Sequence, residues 1–171
     1  YGIAKYDNPE ELSVSDRNNI GYQYTDCPLY WISVIYLNFA EAKAEMGSLT
    51  QDDLNNSINK LQARAGLPAM TTTPDADPAN NMGVSNLIWE IRRCRRCELI
   101  MDNWYRYWDL IRWHQLDKLD STKYPNTMLG ANVSNVPDCE EATKNGYIDA
   151  SDAQIRTYEA KHYFYPIPTT Q

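Results

Sequence analysis

Apolar residues recur with a helical period early in the chain and again from residue 85 onwards. The first stretch begins at Pro28, which suits a first helical turn, and ends at Gly47, which favours a C-terminal stop. Between these two residues, apolar positions return every three or four residues, at Leu29, Ile32, Ile35 or Tyr36, Phe39, Ala42 and Met46. This pattern predicts a helix of roughly five turns.

A second helix is predicted after a short turn. Thr50 and Asp53 have the spacing of a capping box, in which each side chain accepts a hydrogen bond from the other residue's backbone. An apolar stripe then follows, before Gly66, at Leu54, Ile58, Leu61 and Ala65. Because so short a connection leaves two helices side by side, residues 28–67 are predicted to form a helical hairpin of the tetratricopeptide kind.

Residues 85–119 carry the second helical stretch, after a loop over 68–84 that is rich in proline, threonine and asparagine. Ser85 is placed to cap the helix LIWEIRRCRRCELIMD. The pair Asp102-Asn103 is predicted to break this helix, because asparagine tolerates the left-handed backbone conformation. The sequence WYRYWDLIRWHQLDKL then completes a second, aromatic hairpin.

The remaining segments show no sustained period. Residues 1–27 are predicted to be a loop-rich lead-in, and residues 120–171 a loop-rich C-terminal segment. The sequence therefore predicts an all-α fold of tetratricopeptide-like helical hairpins with long irregular loops. A single domain is expected to span residues 1–171, with its hairpins at 28–67 and 85–119.

Composition and charge narrow the classes of function. Sixteen lysines and arginines against 23 aspartates and glutamates give a net charge of -7, which argues against binding to nucleic acid through a broad positive surface. No run approaches the ~18 consecutive apolar residues that span a bilayer, and the start YGIAKYDNPEE lacks the pattern of an export signal. We therefore expect contact with a membrane only through a lipid anchor outside this chain.

No catalytic, metal or cofactor site is predicted. The histidines, His114 and His162, are far apart and fall in no nucleophile or metal motif. Cys94 and Cys97 have the spacing of a zinc or redox pair, but they lie in the middle of a predicted helix between arginines. Zinc-ligand pairs lie in turns and redox pairs open a helix. We expect a protein that is not an enzyme and has no cofactor.

Four arginines lie close together on the predicted third helix, at Arg92, Arg93, Arg95 and Arg96. Such a run can bind an anion, for example a phosphate or a sulfated or uronic sugar. The preferred interpretation is a network of ion pairs that locks the second hairpin, because acidic residues lie within helical reach and arginine pairs well with carboxylates. The predicted network comprises Arg92, Arg95, Arg96, Glu98, Asp109 and Arg112.

The chain is rich in rings that have a polar edge, with 13 tyrosines and five tryptophans. Such rings suit a surface that is partly apolar and partly wet, as a sugar-binding surface is. Rings at helical spacing are usually buried, and Trp108 above all is predicted to be in the core. Loop tyrosines are better placed for a ligand, because loops on a rigid scaffold carry function. The predicted carbohydrate-binding residues are Tyr22, Tyr24, Tyr124 and Trp104.

Three blocks of sequence resemble one known family. IRRCRRCELIMDNWYRYWDLIRW resembles the arginine-rich, tryptophan-ending signature of the SusD/RagB family of outer-membrane nutrient-binding lipoproteins. DCPLYWISVIYLNFAEAKAEMG with NKLQARAGLP resembles the family's last tetratricopeptide-like hairpin, and YFYPIP resembles its closing segment. The blocks occur in the family's order. The chain departs from the usual pattern at Trp31, Val34 and Cys94, where charged residues are common.

The resemblance implies the C-terminal portion of a longer lipoprotein on the extracellular face of the outer membrane. Such a protein binds an oligosaccharide or polysaccharide, does not cleave it, and sits as a lid over a SusC-type TonB-dependent transporter for nutrient uptake. The lipid-bearing cysteine is expected outside this chain and is none of Cys27, Cys94, Cys97 and Cys139. Two alternatives stay open: an interaction scaffold of that complex without ligand contact in this segment, and a binder of acidic sugars or peptides.

Overall fold

The computed structural model describes residues 13, 15, 29–102, 104–136, 143–149 and 154–164. The chain divides into two compact units, Tyr1–Trp31 and Ile32–Gln171. Every helix and strand described below belongs to the second unit. No helix in these described ranges has both the length and the apolar character that crossing a membrane requires.

Most of the regular structure is helical. The α-helices are α1 (Ile32–Glu45), α2 (Gln51–Asn55), α3 (Ile58–Arg64), α4 (Asn86–Glu98) and α5 (Tyr105–Arg112). Short 3₁₀-helices cover Leu116–Leu119, Pro125–Met128 and Ala160–Tyr163. The strands are β1 (Leu129–Asn132), β2 (Thr143–Lys144) and β3 (Tyr147–Asp149).

Helix α1 ends where its sequence predicts, but the stripe that predicts it is not the buried face. Gly47 has a positive φ of 67°, and the backbone N–H of Ser48 donates to the carbonyl of Lys43, which closes a Schellman motif. The exposed residues of the predicted stripe include Ile32, Ile35, Phe39 and Met46. The buried residues of α1 are Ser33, Leu37, Ala40 and Glu41. A carboxylate buried on this face needs partners for its charge.

The second predicted helix is divided into α2 and α3. The capping box at its start is present: the N–H of Asp53 donates to Thr50 Oγ1 at 3.1 Å, and the N–H of Thr50 donates to Asp53 Oδ2 at 2.9 Å. The side chains of Asn56 and Ser57 then donate to the carbonyls of Asp52 and Asp53. Side chains that bond to the local backbone in this way compete with the helical pattern, and the single helix of the prediction is interrupted here.

The main core lies between α1, α3 and α4. Helix α1 packs against α3 and α4, and α3 packs against α2 and α4. The core residues are Leu37, Ala40, Leu54, Ile58, Leu61, Met70, Ile91 and Leu99. Met70 belongs to the predicted loop, and its backbone is fixed by Asn59, whose Oδ1 accepts from the Met70 N–H at 2.7 Å. The loop is thereby held against the helices.

Helices α4 and α5 are both shorter than the sequence predicts. Ser85 caps α4 by accepting a hydrogen bond from the N–H of Ile88 at 3.3 Å. Helix α4 ends at Glu98, four residues before the predicted break, and Met101 has a φ of 65°. Asn103, which is predicted to adopt the left-handed conformation, lies outside the described residues.

Helix α5 ends at Arg112, whereas the sequence predicts a helix that continues to about residue 119. The reason lies at His114, which has a φ of 53°. The N–H of Gln115 donates to the carbonyl of Leu110, so His114 occupies the position that glycine usually has in a Schellman motif. The chain then continues as the 3₁₀-helix Leu116–Leu119.

The prediction of an all-α fold is wrong in the C-terminal segment, which contains a small antiparallel sheet in the order β1-β3-β2. Strands β2 and β3 pair with Thr143 opposite Ile148, across a turn made by Asn145-Gly146. Both turn residues have a positive φ, as a two-residue type I′ hairpin requires. Asn-Gly between strands is a strong signal for a hairpin. The prediction rests on helical periodicity, which does not detect such a turn.

The segment of residues 154–164 is attached to the rest of the chain through Asp120. The Asp120 carboxylate accepts hydrogen bonds from the N–H of Thr122 at 2.9 Å and of Tyr158 at 3.1 Å. The hydroxyl of Thr122 and the N–H of Tyr158 lower the pKa of Asp120 to about 2. The N–H of Leu116 also donates to Tyr163 Oη at 3.2 Å.

Candidate functional site

Helix α4 presents its four arginines to two different surroundings. Arg92 and Arg95 are buried, whereas Arg93 and Arg96 are exposed. Residues three apart lie on the same face of a helix, so the run divides into two pairs. The buried pair belongs to a set of charged groups that we call the arginine cluster: Glu41, Arg92, Arg95, Asp109, Arg112 and Trp113.

Glu41 is the centre of the arginine cluster. Its side chain is 6% exposed and accepts hydrogen bonds from Trp113 Nε1 at 2.6 Å and from Arg112 Nη1 at 3.0 Å. Arg92 Nε lies 3.7 Å from the same carboxylate, and Arg92 Nη2 donates to Glu45 at 3.0 Å. One buried acid on α1 therefore has cationic partners from α4 and α5.

Asp109 is the second buried acid of the arginine cluster. Its side chain is 4% exposed; Oδ2 accepts from Arg95 Nε at 2.7 Å and Oδ1 accepts from Arg112 Nε at 2.9 Å. Arg95 Nη1 also donates to Asn38 Oδ1 at 2.8 Å. These bonds join α1, α4 and α5 through charge-assisted contacts, which are stronger than neutral hydrogen bonds.

The Trp113 ring completes the arginine cluster. The guanidinium groups of Arg92 and Arg112 lie 4.5 Å and 4.7 Å from its centroid. Burial lowers the pKa of Arg112, but the hydrogen bonds and charges of Glu41 and Asp109 outweigh it and raise the pKa above its usual value. Most donors of the cluster are thus directed at protein acceptors, and the arrangement serves packing better than ligand binding.

Two residues of the predicted network lie apart from the arginine cluster. Glu98 pairs with Arg64 at 2.5 Å. Arg96 is exposed and forms no salt bridge within the described part of the chain. The structure brings Arg92, Arg95, Asp109 and Arg112 together and leaves Arg96 and Glu98 outside.

A cleft of about 700 Å³ borders α4 and α5 and is the second candidate site. Its walls include two rings, Trp89 and Tyr124, and the apolar side chains Met82, Leu110 and Leu119. Its cations are Arg92, Arg93, Arg96, Arg106 and Lys118, and its carboxylate is Asp77. We call it the basic cleft. The concentration of positive charge stands out in a chain whose net charge is -7.

Both rings of the basic cleft are fixed by hydrogen bonds. Trp89 Nε1 donates to Asp77 Oδ2 at 2.9 Å, and this bond is the main cause that lowers the pKa of Asp77. Lys118 Nζ donates to Tyr124 Oη at 2.7 Å and to the carbonyl of Asn81 at 2.6 Å. The ring faces are therefore held in place before any ligand arrives, which reduces the entropy lost on binding.

The cations of the basic cleft are unequally paired. Arg93 Nε donates to Glu90 at 2.7 Å, and Arg92 belongs to the arginine cluster. Arg96 and Arg106 form no salt bridge within the residues that the structure describes. Burial, and then the positive charge of Arg96, lower the pKa of Arg106. The negative charge of Asp109 acts in the opposite direction but does not outweigh them. A cation whose charge is disfavoured by a neighbouring cation makes an environment that favours an anion.

The predicted carbohydrate-binding residues are not all part of the basic cleft. Tyr124 lines it. Trp104 is 81% exposed, has a φ of 58° and does not line the cleft. Tyr22 and Tyr24 lie outside the described residues.

The prediction that Trp108 is buried is wrong, because its side chain is 48% exposed. The buried positions of α5 are Asp109 and Leu110, and Asp109 has to meet the arginines of the cluster. In this orientation of the helix, the Trp108 side chain is about half exposed to solvent. The tryptophan that is buried in this region is Trp113.

The two cysteines of α4 differ in exposure, since Cys94 is partly buried and Cys97 is exposed. Cys94 and Cys97 are free thiols, and burial raises the pKa of Cys94 to about 11, which keeps this thiol protonated at neutral pH. No group of three potential metal ligands occurs among the described residues. Cys27 and Cys139 lie outside them.

Some residues of the two sites are not among those predicted from the sequence. Glu41 carries a signal, since it is an acid on the helical face of Leu37 and Ala40, where a core residue is expected. Lys118 carries none, because only the fold brings it to the same cleft as Tyr124.

Comparison with known proteins gives one match. The family model described as the SusD family matches residues 1–171. The comparisons with curated proteins and with solved structures gave no match.

Proposed function

Because the chain belongs to the SusD family, we propose that it captures an oligosaccharide or polysaccharide at the cell surface and delivers it to a SusC-type TonB-dependent transporter. Proteins of this family are binding proteins without catalytic activity, so the chain is not an enzyme. The family consists of surface lipoproteins. We infer an extracellular position at the outer membrane, with attachment through a lipid anchor.

The observation that carries this proposal at the level of residues is the basic cleft. Trp89 and Tyr124 offer apolar ring faces on which the axial hydrogens of a pyranose can pack, and the cations beside them can donate hydrogen bonds to hydroxyls. Its volume of about 700 Å³ lies in the range of pockets that bind small ligands. Rings with convergent donors are the combination that a sugar requires.

We assign Tyr124 to the ligand site and keep Tyr22, Tyr24 and Trp104 as candidates for contacts outside the basic cleft. Within the predicted network, we assign Arg92, Arg95, Asp109 and Arg112 to structure, with Glu98 as the partner of Arg64. We assign Arg96 to the ligand site instead of the predicted ion-pair network, because it lines the cleft.

The test is affinity electrophoresis of the 171-residue chain through gels that contain polysaccharides. Retardation by at least one glycan is expected, and Tyr124→Ala should weaken that binding by roughly tenfold through loss of the ring contact. Phe164→Ala is the matched control, because it removes an exposed ring that does not line the cleft. If Tyr124→Ala binds like Phe164→Ala while both are folded, Tyr124 is not a ligand residue. If no glycan retards the chain, this segment does not carry the capture function.

A second candidate function, an interaction scaffold in the transporter complex, is favoured by the exposed apolar row on α1. Ile32, Ile35 and Phe39 recur on one face of this helix and are exposed. Replacement of Ile35 by glutamate should reduce copurification with the transporter and leave glycan retardation intact, whereas Ile155→Glu, at an exposed apolar residue outside α1, should change neither. Equal copurification of the two variants would exclude this face from the complex.

A further inference from the structure

The basic cleft holds more positive charge than its own acids can balance. Its carboxylate, Asp77, accepts from Trp89 and from the N–H of Ala79, so it is already committed to holding the ring. Arg96 and Arg106 line the cleft without a salt bridge in the described ranges. A neutral sugar would hydrogen-bond to these groups but would leave their charges uncompensated.

Arg92 adds a third cation to the wall of the cleft, but its charge is balanced inside the protein. Its side chain is only 9% exposed, and its Nε lies 3.7 Å from the Glu41 carboxylate, a distance that gives an ion pair but no hydrogen bond. Arg92 Nη2 also pairs with Glu45 at 3.0 Å. The cations of the cleft that form no salt bridge within the described ranges are therefore Arg96 and Arg106.

We infer that the basic cleft binds an acidic sugar, whose carboxylate or sulfate group is held by Arg96 and Arg106 while its ring packs on Trp89 or Tyr124. This inference rests on the proposed glycan capture and names the class of glycan. Guanidinium groups match the planar geometry of carboxylates and the oxygens of sulfate, and they form charge-assisted hydrogen bonds with both.

The surroundings favour a saccharide over other anions. The chain has a net charge of -7, so a long polyanion such as nucleic acid would be repelled outside the cleft. The two fixed rings supply the apolar faces that an inorganic anion would leave unused. An acidic sugar uses both the rings and the cations.

The experiment compares charged and neutral forms of the same polymers in affinity gels. Polygalacturonate is paired with its methyl-esterified form, and a sulfated galactan with a neutral galactan, which separates a carboxylate from a sulfate as the recognised group. Retardation is expected from at least one charged polymer, at least about tenfold stronger than from its neutral partner, and it should weaken as the ionic strength rises from roughly 0.05 M to roughly 0.5 M.

The double variant Arg96→Gln/Arg106→Gln should lose at least about tenfold of the binding to the charged polymer. Arg156→Gln is the matched control, because it removes the same charge from an exposed arginine that does not line the cleft, and it should bind like the wild type. Circular dichroism checks that both variants are folded.

The outcomes separate this inference from the proposed function. Equal retardation by a charged polymer and its neutral partner, or equal loss in the double variant and in Arg156→Gln, overturns the acidic-sugar inference and leaves glycan capture standing. Absence of retardation by every polymer overturns both. Isothermal titration with sodium sulfate provides a further arm: sulfate binding that the double variant loses, with no polymer bound, would assign the cleft to small anions and overturn the saccharide assignment.

Discussion

The arginine cluster and the basic cleft use arginines of the same helix in opposite ways. In the arginine cluster, Arg95 is 5% exposed and donates to Asp109 and Asn38. In the basic cleft its neighbour Arg96 is exposed and has no salt bridge within the described residues. One step along the backbone turns the side chain by about 100° around the helix axis, which is enough to move it from one site to the other.

The difference lies in the acids that the neighbouring elements bring. Helices α1 and α5 contribute Glu41 and Asp109 to the arginine cluster, where every carboxylate oxygen accepts a bond from the protein. The acid that reaches the basic cleft, Asp77, is directed at a tryptophan instead of an arginine. The same residue type therefore stabilises the fold where its charge is matched and offers a ligand site where it is not.

The largest expected effect breaks the arginine cluster at its centre. Glu41→Ala removes the buried acceptor of Arg112 and Trp113 and should lower the free energy of unfolding by about 3–5 kcal/mol, as measured by urea unfolding. Glu45→Ala is the control on the same helix, because its half-exposed carboxylate also contacts Arg92 and its loss should cost at most about 1 kcal/mol. Similar losses in the two variants would show that burial does not distinguish the two acids.

A smaller effect tests the two arginines side by side. Arg95→Gln should lower the free energy of unfolding by about 2–3 kcal/mol, less than Glu41→Ala because Asp109 keeps its bond to Arg112. Arg96→Gln should change stability by less than about 0.5 kcal/mol, since this side chain is exposed and has no salt bridge among the described residues. Thermal and urea unfolding measure both. A loss at Arg96 as large as that at Arg95 would return Arg96 to the structural network.

The features that the sequence predicts well are those decided within a few residues. The capping box of Thr50 and Asp53, the cap at Ser85 and the stop at Gly47 are all present, because each depends on local backbone hydrogen bonds. The division of the second helix at Ser57 also depends on a local hydrogen bond. It is not predicted, because the apolar stripe continues across Ser57 and indicates one uninterrupted helix.

The features that the sequence does not predict depend on which face of a helix meets its neighbour. The exposed stripe of α1 is more apolar than its buried face, which contains Ser33 and Glu41. Hydrophobic periodicity alone therefore predicts the wrong buried face for α1. It also predicts a buried Trp108 on α5, where this side chain is in fact half exposed. The basic cleft is less predictable still, because Lys118 reaches it only through the fold.

The smallest expected effect concerns the acid of the basic cleft. The bond from Trp89 lowers the pKa of Asp77 below its usual 3.8, so the stabilisation by its carboxylate is complete above about pH 3.8 and is lost as the pH falls through the lower value of the folded state. Asp77→Asn keeps an acceptor for the indole but has no charge, so its stability should depend less on pH below 3.8 than that of the wild type.

Urea unfolding between neutral pH and about pH 2 measures this difference, with Asp75→Asn as the control at a nearby exposed acid. The gap in stability between wild type and Asp77→Asn should narrow on acidification, whereas the gap for Asp75→Asn should not follow the same course. A constant gap for Asp77→Asn would mean that the carboxylate is not held by the tryptophan. Asp77 would then be available to pair with an arginine of the basic cleft, and the contrast with the arginine cluster would lose its basis.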